Sequence, residues 1–360
     1  MLGQSIAGEK MSKIRVLHML CSNSYSGAEN VICQIINMFK CDDRYEFVYA
    51  SPNGPIKETL EARGIAFVPM AKASLREFKR VIKDVKPTII HAHDMRAGFL
   101  AALTCENIPL ISHIHNNNFD SQKPTMKAVL YRYAAIKAKH IFWVSQSSFD
   151  GYCFHRGLEN KSNVLYNVID SNQLEEKAQQ ATIKEAYDIV YIGRMTYQKN
   201  PQRLIGVLEQ IVKERSATRC ALIGTGDLED VVKKDIEKKK LDKNIDFWGF
   251  QSNPYGILKN TKMLLMTSRW EGTPMCALEA MALGIPIVST PTDGLRELVK
   301  QGSTGFLEES DEAIKARCIQ IISNAALREN FSKASLIRSK EMMDVDAYRN
   351  QLAKVYNKFS

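Results

Sequence analysis

The chain has 360 residues, more than one ordinary domain takes and comfortable for two. With 45% apolar and 25% charged residues it is globular rather than disordered, and no apolar run approaches the roughly 18 residues that a membrane-spanning helix needs. The net charge of +9 favours anionic partners, while 8 cysteines set singly, with no Cys-x-x-Cys pair, exclude a zinc or disulfide framework and fit reduced thiols in a cytoplasm. Met1–Lys13 lacks the apolar core of a secretory signal, and Met11 is an alternative start.

Short apolar runs then alternate with amphipathic segments, as in parallel α/β folds. Ile14–Leu20 reads as a strand, followed by a loop with Ser24, Ser26 and Gly27 and a helix from Ala28 to Phe39. Strands are expected at Phe47–Ala50, Ile65–Val68, Thr88–His93, Leu110–His115, His140–Ser145 and Val164–Tyr166, with helices at Ile56–Ala62 and Leu75–Val85. After a polar stretch, Ser171–Tyr187, a second series begins. Its strands are Ile189–Ile192, Arg219–Ile223, Ile245–Phe247, Met263–Thr267 and Ile285–Ser289, and its helices are Gln202–Lys213 and Leu228–Lys239. Two such series imply two doubly wound parallel sheets, in domains over 1–170 and 171–345, and a final helix, Asp346–Lys358, whose packing the pattern leaves open.

Ligands in open α/β sheets bind beyond the carboxyl ends of strands, so residues just after strands are the informative ones. Arg269-Trp270-Glu271-Gly272-Thr273-Pro274-Met275 follows one strand and leads into Cys276–Ala282. Thr273 is expected to cap a helix that starts at Pro274, and Gly284 to end it in a left-handed conformation. The helix start then offers N–H groups to a diphosphate, and Glu271 and Glu279 offer carboxylates to sugar hydroxyls. Gly193-Arg194 with Lys199 follows another strand and supplies cations for phosphate oxygens. Ser26-Gly27 opens a helix behind the first strand, and the absence of G-x-G-x-x-G excludes a nicotinamide or flavin fingerprint. Gly224 and Gly226 read as a turn lining the cleft, and Gly249-Phe250 as a surface for a base. His91 and His93, beside Asp94, share one face of a strand, but the further spacing of a metal set is missing. His115, at a strand end, is the better functional histidine. No metal and no cofactor are expected.

In this order the chain resembles glycosyltransferase family 4, retaining enzymes of the GT-B fold in which two Rossmann-like domains face each other across a cleft. The resemblance rests on Glu271-x7-Glu279, Gly193-Arg194 with Lys199, Gly224-x-Gly226, Ser26-Gly27-Ala28-Glu29, Val144-Ser145 and Asn167-Val168-Ile169-Asp170. It implies that Arg194 and Lys199 bind the donor diphosphate and Glu279 the ribose. Glu271 and His115 would lie near the donor sugar, Phe250 near the base, and Gly27 beside the diphosphate. The stretch Gly272, Thr273, Pro274 and Met275 would line the sugar and phosphate, with backbone N–H groups from all but the proline. The final helix, Asp346–Lys358, would cross back to the first domain. Many relatives have Gly-Gly-Ala-Glu where this chain has Ser26-Gly27-Ala28-Glu29, and Asn-Gly-Val-Asp where it has Asn167-Val168-Ile169-Asp170.

The implied reaction moves a sugar from a nucleotide diphosphate, UDP on family frequency, to a hydroxyl of a glycan or lipid-linked acceptor for cell-envelope polysaccharide. The alternatives are a catalytically inactive sugar-nucleotide-binding scaffold and a sugar-nucleotide epimerase of the same fold. Lys123–His140, with Lys123, Lys127, Tyr131, Arg132, Tyr133, Lys137 and Lys139, suits an anionic membrane surface as well as a solvated helix. The expected location is cytoplasmic, at the inner face of the membrane where that surface engages; nucleic acid is not an expected partner.

Overall fold

The computed structural model describes residues 13–116, 119–181 and 185–360; the alternative start at Met11 lies outside them. The first sheet has strands Ile14–Met19 (β1), Tyr45–Pro52 (β2), Phe67–Met70 (β3), Ile89–His93 (β4), Leu110–Ile114 (β5), His140–Trp143 (β6) and Ser162–Val164 (β7), in the order β3-β2-β1-β4-β5-β6-β7. The second has Tyr187–Ile192 (β8), Cys220–Ile223 (β9), Ile245–Gly249 (β10), Thr261–Met266 (β11), Ile287–Ser289 (β12) and Gly305–Leu307 (β13), in the order β10-β9-β8-β11-β12-β13. Neighbouring strands pair in parallel throughout. The expected pair of doubly wound parallel sheets is therefore present.

The helices that frame the cleft are Gly27–Met38 (α1), Asp94–Ala102 (α2), Met126–Lys137 (α3), Ser171–Gln180 (α4), Pro201–Glu214 (α5), Tyr255–Lys259 (α6), Met275–Ala282 (α7) and Val345–Phe359 (α8). Helix α4 forms where the sequence shows only a polar stretch, because the Asp170 carboxylate caps it, accepting from the N–H groups of Asn172 and Gln173 at 3.1 Å. Helix α2 was not anticipated either. Met95, Ala97, Gly98, Ala101 and Ala102 are all buried, so the segment lacks the polar face that makes a helix visible in sequence.

Helix α8 crosses to the first sheet. Arg349 pairs with Asp42 at 2.6 Å and donates to the Met38 carbonyl, and the Tyr45 hydroxyl donates to Asn357 at 2.7 Å. One apolar cluster joins Ile35 of α1 and Phe39 just after it, Leu174 of α4, Leu278 of α7 and Leu352 and Tyr356 of α8. No helix among the described residues is long and apolar enough to cross a membrane.

Under α8 lies an unusual surface. His18 is in register with His91, His93 with His113, and Ile111 with His140. Because side chains alternate along a strand, His18, His91, His93, His113, His115 and His140 share one face of the sheet, six of the chain's 7 histidines. Tyr356 of α8 shares a hydrogen bond with Nδ1 of His91 at 2.8 Å. Burial holds the imidazoles neutral: His18 and His115 fall to about 3, His140 to about 4, and His91, His93 and His113 lie well below the usual histidine range.

These shifts set an acid limit. An unfolded histidine takes a proton near pH 6.5, at about its model-peptide pKa, whereas the folded ones stay neutral well below that, so protons favour the unfolded chain across this window. Thermal melts from about pH 8 to about pH 4 are expected to give a flat midpoint above roughly pH 6.5 and a steep fall below it, with a linkage slope above one proton. A midpoint constant down to about pH 5 would contradict the neutral cluster.

Candidate active site in the interdomain cleft

Strand order reverses once in each sheet, between β1 and β4 and between β8 and β11. Crevices open outside the carboxyl ends of such strands, so four loops meet in the cleft. Behind β1, Glu29 accepts hydrogen bonds from the backbone N–H of Ser26 at 3.0 Å and from its hydroxyl at 2.6 Å, which fixes the start of α1. A Cβ on Gly27 would lie 4.0 Å from Met275 Cγ, so the starts of α1 and α7 face one another. Both helix starts carry partial positive charge.

The loop behind β8 carries Arg194 and Lys199, and the loop behind β11 carries Glu271. Lys199 Nζ donates to Glu271 Oε1 at 2.6 Å, and the Ser268 hydroxyl donates to the same oxygen at 2.5 Å. Burial alone would lower the Lys199 pKa; the adjacent Glu271 carboxylate outweighs it, and the amine titrates above the usual lysine range. Arg194 is exposed and makes no ion pair among the described residues. Gly224 and Gly226, at φ +132 and +157, bring the loop behind β9 against this one. A Cβ on Gly224 would stand 2.0 Å from the Gly193 carbonyl oxygen, and one on Gly226 2.6 Å from that of Met195.

The expected cap of α7 differs from the observed one. Pro274 is the cap (ψ 123) and the helix begins at Met275. Thr273 instead sends its hydroxyl across the cleft to the Val144 carbonyl at 2.8 Å, while Asn167 Nδ2 donates to the Thr273 carbonyl at 3.1 Å. The hydroxyl satisfies a buried carbonyl of the other domain, which wins over a local cap. Gly284 ends the helix at φ +69, as expected.

Glu279 is buried on α7 and accepts from the Tyr255 hydroxyl at 3.0 Å. Burial lifts its carboxyl to about 7, against the pull of Tyr255 and Lys177. It borders a cavity of about 650 Å³ whose wall includes Asn30, Gln34, Arg63, Lys177 and Tyr255. Phe250 does not line this cavity; it stands half-exposed after Gly249, which takes φ +62. His115 is buried at the end of β5 with Nε2 sharing a hydrogen bond with His93 Nδ1 at 2.8 Å, and His93 in turn shares one with His18 at 2.8 Å. Two histidine trios, His18-His91-His93 and His93-His113-His115, are near enough to share an ion, but several of their facing nitrogens already share hydrogen bonds.

Residues 172–337 match the family described as Glycosyl transferases group 1, and residues 26–173 match Glycosyltransferase Family 4. The chain belongs to glycosyltransferase family 4. It is 22% identical to the UDP-Gal:alpha-D-GlcNAc-diphosphoundecaprenol alpha-1,3-galactosyltransferase of Escherichia coli over 96% of this chain and 94% of the relative. An uncharacterised glycosyltransferase of Methanocaldococcus jannaschii is 26% identical over 61% of this chain, and the matched stretch spans 60% of that relative's length. Among solved structures, HepE of Anabaena in complex with UDP and glucose superimposes with a TM-score of 0.81 at 19% identity, covering 96% of this chain and 100% of HepE. TarM of Staphylococcus aureus, solved with UDP, gives 0.75 at 14% identity over 95% and 99%. The architecture is GT-B.

This family 4 chain absorbs its two departures without strain. Ser26 has extended backbone, φ −148 and ψ −158, which any residue adopts. Val168 and Ile169 are buried in the cluster that joins the domains. Sequence reasoning missed Ser268, Tyr255, Asn167 and the carboxylate of Asp94. Ser268 and Asp94 sit within three residues of residues already weighed; the legible signal was their position directly behind switch-point strands.

Gly272 packs tightly against the other domain. A Cβ there would meet the His115 carbonyl oxygen at 2.7 Å and Val144 Cγ1 at 3.0 Å. Gly272→Ala is expected to hold the domains apart, raising the radius of gyration in X-ray scattering and lowering kcat/KM by about 10²-fold, the cost of roughly 1 Å of misplacement. Gly206→Ala in α5, where a Cβ meets nothing within 4 Å, is the control and should change neither. Unchanged scattering and activity in Gly272→Ala would show that the tight contact is dispensable.

Proposed function

We propose that this enzyme transfers a hexose from a UDP-sugar to a hydroxyl of a glycan or lipid-linked acceptor, with retention at the anomeric carbon, in the making of cell-envelope polysaccharide. Residues 1–170 form the acceptor side and 171–345 the donor side. The observation that carries this reading is the convergence of Arg194, Lys199 and two helix starts on one spot, flanked by Glu271 and Glu279. A diphosphate with sugars at both ends fits that arrangement of cations between carboxylates. The names of HepE in complex with UDP and of the Escherichia coli galactosyltransferase support UDP as the nucleotide.

As the bond from the anomeric carbon to the diphosphate oxygen breaks, negative charge gathers on the departing phosphate. Arg194, Lys199 and the N–H groups at the start of α7 meet that charge in place, without reorganising. Glu271, tied to Lys199 and Ser268, accepts from a hydroxyl of the donor sugar. Glu279 accepts from the ribose. His115 borders the donor sugar from the other domain.

A membrane surface is the proposed setting for the acceptor. Helix α3 buries Ala128, Tyr131, Ala134 and Ala135 and turns Met126 (80% exposed), Val129, Leu130, Tyr133 and Ile136 (62%) outward. Tyr131, which the sequence placed on the outer face, is thereby in the core, its hydroxyl sharing a hydrogen bond with Ser112 at 2.8 Å. Lys123, Lys127, Arg132 and Lys137 flank the apolar stripe, the composition of a helix that lies in an anionic interface.

Three outcomes are expected. In calorimetric titration UDP binds more tightly than GDP or ADP, Glu279→Ala weakens it, and affinity rises as pH increases through about 7, where Glu279 ionises and accepts both ribose hydroxyls. Equal or absent binding of the three nucleotides would count against a UDP donor. Arg194→Ala, an exposed change that spares the fold, lowers kcat by roughly 10² to 10³ in transfer or donor hydrolysis; full activity would remove Arg194 from the mechanism. Vesicles with anionic lipid co-sediment with the chain at low salt, and Met126→Asp with Ile136→Asp abolishes this; equal binding to neutral vesicles would defeat the electrostatic part of the reading.

A further inference from the structure

Each sheet has two crevice-forming strands, and three of the four loops behind them carry residues assigned above to the donor: Gly27 behind β1, Arg194 and Lys199 behind β8, and Glu271 behind β11. The fourth strand, β4, runs straight into α2, whose first residue is Asp94. Its backbone takes φ +69, the left-handed region, which aspartate enters more readily than most residues with a Cβ but still at some cost. Such conformations persist where the surroundings over-determine them, and they gather at ligand sites. One of its carboxylate oxygens, Oδ1, is buried without a hydrogen-bond partner. Native structures leave few such oxygens, because an unpaired acceptor has lost its water and gained nothing.

The surroundings say what would fill the gap. The backbone N–H of His115 stabilises the charged carboxylate, and Glu29 of α1, Lys127 of α3 and Arg194 from the other domain act on it electrostatically. Asp94 therefore stands between the end of β5, which borders the sugar, and a cation assigned to the diphosphate. A hydroxyl is the natural donor to an ionised carboxylate in that position. We propose that Asp94 is a specificity residue for the donor sugar, its unclaimed oxygen accepting a hydrogen bond from a hydroxyl of the transferred hexose. This rests on the donor reading above. Burial, joined by Glu29 and opposed by the His115 N–H, Lys127 and Arg194, lifts the carboxyl to about 6, so the contact weakens as pH falls through that value.

The test is calorimetric, on wild type, Asp94→Asn and Asp94→Gly, with UDP, UDP-glucose, UDP-galactose and UDP-N-acetylglucosamine. The quantity read is the ratio of the Kd for UDP to that for the tightest UDP-sugar. Asparagine tolerates left-handed backbone and keeps the shape while losing the charge; glycine releases the strain. Both variants are expected to bind UDP as wild type does and to lose roughly 10- to 100-fold in UDP-sugar affinity, the range for a hydrogen bond to a charged group. Asp94→Gly should melt no lower than wild type, since the conformation serves the ligand and not the fold. The wild-type ratio should fall below about pH 6, and the Asp94→Asn ratio should not. An unchanged ratio in Asp94→Asn, or a wild-type chain that binds UDP and all three UDP-sugars alike, overturns the proposal. So does loss of UDP binding together with a lowered midpoint in both variants, which marks a structural role. Failure of wild type to bind UDP at all overturns the donor reading instead.

Discussion

Gly294, Gly272 and the carbonyl of His115 stack backbone against backbone, and the cleft takes its dimensions from that stack. A Cβ on Gly294 would lie 1.2 Å from the Gly272 carbonyl oxygen, and one on Gly272 2.7 Å from that of His115. Side chains adjust by changing rotamer; backbones packed this closely do not. The separation between the Lys199–Glu271 pair on one domain and His115 on the other is therefore set by covalent geometry. Polar contacts around the stack fix its register: Thr273 to Val144, Asn167 to Thr273, and the Ser147 N–H to Glu297 at 3.4 Å.

Charge within that frame is divided between groups that are already satisfied and groups that are not. Lys199 and Glu271 pair in a buried place, where removing either partner would strand the other charge, and the ammonium keeps further N–H donors for an anion. Arg194 and the helix starts keep their capacity for an anion. Glu279 and Asp94 are held near neutral titration by burial, so each gains a stable carboxylate most readily when a hydroxyl arrives to share it. The site thus stores favourable interactions for a ligand that is anionic in its middle and hydroxyl-rich on both sides. Each stored interaction costs the free protein some desolvation, which is the usual condition of a preorganised site.

How much of this was legible in the sequence depended on whether the signal was local. Strands such as Leu110–Ile114 and helices such as Leu75–Val85 announce themselves by apolar runs or by period, and they lie where the pattern puts them. The cation loop and the Glu271–Glu279 spacing were also readable, because both directly follow strands. Helix α2 was hidden by burial on nearly all sides, and α4 by a polar composition that Asp170 turns into a helix. Thr273 looked like a cap until its partner proved to be Val144, 129 residues away in the chain. Asp94 was noted only as the neighbour of two histidines and given no role, since nothing local tells that its strand lies at the reversal of sheet order. Tyr131 was misplaced for a related reason: composition counts aromatic residues in a segment and does not say which face each one takes.

The crossing of α8 has a consequence for how the chain comes together. Arg349 pairs with Asp42, 307 residues earlier, and Tyr356 reaches His91 from 265 residues away. Chains fold from the N-terminal side as they are made, at about 5–20 residues per second. The strands of the first sheet are thus made roughly ten to forty seconds before α8 exists, and through that interval His91 lacks its Tyr356 partner. The order of manufacture, and not only the final fold, therefore decides when Nδ1 of His91 finds its partner.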